Sequence, residues 1–84
     1  MTRWNVRVKS PYPVFKKPDG SMSNEWTYQQ EAINQRMAAS LVLYSLFGPI
    51  NYKKVARVFV TDIEVWKAEK YGIGPRDIWR GRAS

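Results

Sequence analysis

Residues 3–9 alternate without interruption. Trp4, Val6 and Val8 hold the even positions, and Arg3, Asn5, Arg7 and Lys9 hold the odd ones. Successive side chains of a strand point to opposite faces, so this spacing predicts a β-strand with one buried face and one polar, basic face. Pro11 and Pro13 end it, because neither can donate to a ladder. Val14 and Phe15 form a short second strand on this reading. Lys17-Pro18-Asp19-Gly20 is a turn, with φ preset by Pro18 and the remaining positions suited to Asp19-Gly20.

A long helix is expected next. Ser23 or Asn24 caps it, and Glu25 sits favourably in its first turn. Trp26, Gln30, Ile33, Met37, Leu41 and Tyr44 recur at three or four residues, which is one helical face. Gly48 and Pro49 close it. A rod of that length would be roughly 36 Å and would reach beyond its own core. Its second half is apolar nearly all round. Leu41, Val42, Leu43, Leu46 and Phe47 exceed what one thin sheet and one short helix can cover. Leu41, Leu43, Leu46 and Phe47 are therefore candidates for a dimer or partner interface. The alternative is a central helix wrapped by its own chain.

Residues 52–60 fit two templates. Tyr52, Val55, Ala56, Phe59 and Val60 follow the spacing of an amphipathic helix, with Lys53, Lys54 and Arg57 on its other side. The β-branched and aromatic content of Val55–Thr61 favours a strand instead. Propensity tips the reading to a strand that pairs with residues 3–9 beneath the long helix. Thr61 and Glu64 then match a capping box, and Val60 and Val65 a hydrophobic staple, so a second helix is expected from Thr61. Lys67 and Lys70 lie in its last turns, and Gly72 with Gly74-Pro75 ends it. Ile78 and Trp79 dock the tail.

The expected fold class is α+β, a small single domain over residues 1–84. Its order is N-terminal strand, long central helix, second strand, short C-terminal helix, with 80–84 a flexible tail. The alternative is mainly α, with three helices and an extended N-terminal arm.

The chain has 84 residues with no Cys and no His. Disulfides, thiolate metal sites, Cys–His pairs and Ser–His–Asp triads are thereby excluded, and no metal or cofactor is expected. Asp62 and Glu64 are the closest carboxylates in sequence. On a helix they diverge, and capping explains both, so no catalytic residue is assigned and an enzyme is not expected. No phosphate-cradling glycine motif is present. Residues 1–8 lack a secretory signal's apolar stretch. The longest apolar-rich run, Met37–Ile50, is shorter than the ~20 residues a membrane helix needs. An intracellular protein without integral membrane association is expected.

Lys and Arg number 14 against 7 Asp and Glu, a net charge of +7. The cations fall in three groups. Arg3, Arg7, Lys9, Lys16 and Lys17 form the first, Lys53, Lys54 and Arg57 the second, and Arg76, Arg80 and Arg82 the third. If residues 3–9 and 55–61 pair, the first two share one sheet surface that attracts phosphates. Nucleic acid is the first expected partner, and an acidic surface of a larger protein is the second. Solvated charges on the outside of a half-buried sheet are the bland alternative. A helix–turn–helix over 52–71 is a sharper variant. Val60 in its turn and the acidic Asp62, Glu64 and Glu69 argue against it. A homo-oligomer remains open.

Overall fold

The structure, a computed structural model, describes residues 1–68 and 77–82. The chain order is β1 (Thr2–Lys9), β2 (Phe15–Lys16), β3 (Met22–Ser23), β4 (Glu25–Ala32), α1 (Gln35–Phe47), α2 (Tyr52–Phe59), β5 (Asp62–Lys67) and β6 (Trp79–Gly81). The architecture is α+β. A four-stranded antiparallel sheet runs β4-β1-β5-β6, and β2 and β3 form a small hairpin. Asp19 shapes the hairpin turn by accepting from the Ser21 amide at 2.9 Å and the Ser21 hydroxyl at 2.6 Å. Gly20 takes the positive φ of that turn.

β1 forms as its alternation predicts. Val6 and Val8 are fully buried, and both edges of the strand are paired. Val8 lies opposite Trp26 and Ile63, and Val6 opposite Tyr28 and Val65. α1 covers this side of the sheet, packing on β4, β5 and β1, and α2 packs on α1. The core joins Val6, Val8, Ile63 and Val65 of the sheet to Ala38, Ala39, Val42 and Leu43 of α1 and Ala56 of α2.

Several expectations are corrected. The long helix is instead a strand and a shorter helix. Residues 25–32 carry the helical spacing Trp26–Gln30–Ile33, but also the period-two series Trp26, Tyr28, Gln30, Ala32. That second series faces inward, with Glu25, Thr27, Gln29 and Glu31 exposed. The free edge of β1 decides between them, because eight residues of β4 complete its ladder. Asn34, not Ser23 or Asn24, caps the helix. Its side-chain oxygen accepts from the Met37 amide at 2.8 Å. Gly48, at positive φ, ends α1 as expected, its amide bonding the Tyr44 carbonyl.

Residues 52–59 are a helix, not a strand. On a strand Arg57 would share one face with Val55 and Phe59. The helix sends Lys53, Lys54, Arg57 and Val58 outward and buries Ala56. Residues 62–67 are a strand, not a helix. Ile63 and Val65 are buried while Asp62 and Lys67 are exposed. The capping box does not form, since the Thr61 amide donates to the Lys9 carbonyl at 2.9 Å and so starts the ladder. The helix–turn–helix falls with it. Trp79–Gly81 form β6, so Arg80 and Gly81 belong to the sheet rather than to a tail. Lys70, Gly72, Gly74-Pro75 and Arg76 lie outside the described residues, as do residues 83–84.

Asn34→Ala removes the cap that separates β4 from α1. It should destabilise the fold by about 1 kcal/mol, a fall in melting temperature of roughly 4–8 °C for a domain of this size. Asn24→Ala is predicted to change helix content little. Circular dichroism melts of both variants check this.

Candidate binding surfaces

The two sides of the molecule differ in charge. The side of the sheet away from α1 carries the odd positions of β1. Its register lines up Thr27, Arg7, Glu64 and Arg80 across four strands, and Gln29, Asn5 and Trp66 across three. Glu64 gathers the cations here. Its carboxylate lies 3.6 Å from Arg7 Nη1, 3.3 Å from Lys9 Nζ and 3.5 Å from Arg80 Nε. Arg7 also stacks over the Trp66 ring, 4.8 Å from its centroid. Arg3 pairs with Glu31 at 3.5 Å. Lys17 approaches from the hairpin and lines a cleft of about 440 Å³ with Arg7, Ser23, Glu25, Trp26 and Thr27.

Burial opposes ionisation of Glu64. The Lys9 hydrogen bond and the charges of Lys9, Arg7 and Arg80 outweigh it and leave the carboxyl below its ordinary pKa. A carboxylate held ionised by three cations suits an electrostatic tie, not proton donation. Asp62 and Glu64 do share one face, as alternate residues of a strand, rather than diverging as on the expected helix. Among the described residues no group of three or more potential ligands gathers as it would around a metal ion.

The helical side is different. α1 carries Arg36 and no carboxylate, and α2 carries Lys53, Lys54 and Arg57 and no carboxylate. All four cations are exposed. Among the described residues, every ion pair uses Glu31 or Glu64, so none reaches these helices.

The expected basic residues are thus sorted into separate surfaces. Arg7, Lys9 and Arg80 converge, which joins the first group to the third. Lys53, Lys54 and Arg57 do not share the sheet surface expected for them, because their segment is a helix and not a sheet strand. Lys16 is exposed on the hairpin, and Arg76 lies outside the described residues. Of the expected apolar interface, Leu43 is in the core, and Leu46 and Phe47 pack half-buried against it. Leu41 alone is exposed. Glu64 and Trp66 are sheet-surface residues that helical spacing does not place there. The period-two series Ile63–Val65 is the signal in the residues that does.

Comparison of the chain with protein-family models, with curated proteins and with solved structures gives no match. Among the described residues, no helix is long and apolar enough to cross a membrane.

Glu64→Gln leaves three cations without their shared counter-charge. The predicted loss is about 1–2 kcal/mol near neutral pH, since hydrogen bonds to charged groups are strong but these cations are partly solvated. A carboxyl with a lowered folded pKa stabilises above its unfolded pKa, and that contribution disappears as pH falls through the folded value. Wild-type melting temperature should therefore drop on acidification below the ordinary carboxylate range, and less steeply in Glu64→Gln. Thermal melts across a pH series test the difference in slope.

Proposed function

We propose that this chain is a small, non-enzymatic binding protein that contacts nucleic acid through the basic side of α2. The observation that carries this is the state of Lys53, Lys54 and Arg57. They lie on one exposed side of an eight-residue helix that has no acidic residue. Lys53 and Lys54 sit in its first turn, where the positive end of the helix dipole disfavours them. Asn51 adds no side-chain cap. The arrangement is unfavourable to the isolated helix and is relieved by an anion laid along it. Phosphates supply such charge at close, regular spacing. The sheet-side cations have an internal counter-charge in Glu64, which makes them the weaker candidates. An acidic protein surface is the second reading, favoured by the apolar side chains exposed on the same helical side.

Fluorescence anisotropy with labelled DNA and RNA, in single and double strands, tests the proposal over a salt series. Affinity should fall linearly with salt on logarithmic axes. Lys53→Ala/Lys54→Ala/Arg57→Ala should bind more weakly, and its duplex slope should be shallower by about 0.9 for each phosphate no longer neutralised. Absence of binding at low salt, or a triple variant that binds like the wild type, removes this reading.

A further inference from the structure

The outward side of α1 is apolar where a surface helix is ordinarily polar. Met37, Leu41 and Tyr44 follow at intervals of four and three, forming one stripe along the axis, and Ile33 stands just before the cap. They are 40%, 37%, 48% and 69% exposed. The core cannot take them, because the opposite side of α1 already fills it with Ala38, Ala39, Val42 and Leu43. The stripe has a fixed end. The Tyr44 ring packs edge-on against Tyr52, with centroids 5.7 Å apart, so it stops at the first turn of α2 beside Lys53. Arg36 adjoins Met37 near the other end.

Charge selects what covers this stripe. A second copy docking through the same side would set the cations Arg36, Lys53, Lys54 and Arg57 of one copy near those of the other, with no carboxylate on either helix to separate them. Two chains of net charge +7 would also repel before contact. The fitting occupant brings apolar side chains in helical spacing together with negative charge.

We propose that Met37, Leu41 and Tyr44 form the docking surface for an acidic amphipathic helix of another protein. The partner lays its apolar side chains along α1 and sets its carboxylates against Arg36 and Lys53. This is the helix-against-apolar-face mode of recognition, with charge fixing orientation and excluding basic helices. The stripe adjoins the side of α2 assigned to nucleic acid and shares only Lys53 with it, and it does not rest on that assignment.

The probe is a labelled amphipathic peptide of about five helical turns, with Leu along one side and Glu at the flanking positions. Its binding to the full chain is read by anisotropy. Saturable binding is expected, weakened about tenfold or more by Leu41→Ser and also by Arg36→Glu. The same peptide with Lys in place of Glu should not bind. Leu41 is 37% exposed, so Leu41→Ser lowers the melting temperature somewhat through lost packing and helix propensity, whereas Arg36→Glu in the first turn should not lower it; circular dichroism confirms that both variants are folded at the binding temperature. Equal binding of the Glu and Lys peptides, or undiminished affinity in Leu41→Ser, overturns the proposal. So does a dimer in sedimentation that Leu41→Ser splits, which gives the stripe to a second copy. Binding to phosphatidylserine vesicles that Leu41→Ser abolishes, without peptide binding, gives it to a lipid surface and also overturns it. Binding of DNA without the acidic peptide removes this inference and leaves the nucleic-acid reading standing. Loss of the peptide but not of DNA in Leu41→Ser supports two separate surfaces.

Discussion

The fold depends on β1 being paired along both edges. A strand that buries Val6 and Val8 on one side also removes its backbone groups from water, so each amide and carbonyl needs a partner. β4 supplies one edge and β5 the other, in two antiparallel ladders. Once both are in place, one side of the sheet is apolar and α1 covers it. The other side is left to the odd positions of β1 and the residues its register aligns with them. The two faces of the molecule follow from this division.

Charge is divided along the same line. On the sheet side, register brings Arg7, Lys9 and Arg80 to Glu64, so much of the basic charge there is tied down within the molecule. On the helical side no such tie exists among the described residues, and Arg36, Lys53, Lys54 and Arg57 face solvent beside exposed Met37, Leu41 and Tyr44. A net charge of +7 spread evenly would favour no direction of approach. The four cations of α1 and α2 have no carboxylate on their own helices, so their field is the less compensated of the two sides among the described residues.

Much of the local structure is legible in the residues, and particular ambiguities account for what is not. Residues 3–9 read as a strand because only one periodicity fits them. The hairpin turn and the Gly48 stop are legible because their chemistry is local. Residues 25–32 fit both periods, and the cap candidates Ser23 and Asn24 with Glu25 just after them lean the reading toward a helix. Residues 61–65 hold a capping box that is sound as a local pattern but meets a stronger competitor in the Lys9 carbonyl. Those two ambiguities displace the candidate surface as well. Lys53, Lys54 and Arg57 are visible in the sequence as a cluster, but their layer is not. Glu64 looks like a capping residue until its strand neighbours are known.

The sequence by itself determined a strand over residues 3–9, the Gly48 helix stop, the exclusion of disulfide, thiolate and histidine chemistry, and the basic excess. These depend on residue type and short-range spacing, which a single segment carries within itself. Tertiary structure alone decided that 25–32 and 62–67 are strands, which cations share a carboxylate, and which apolar side chains of α1 stay in water. A strand's hydrogen bonds come from residues distant in sequence. A helix's outward side is defined only by what packs against the inward one, so neither is written in the segment that adopts it.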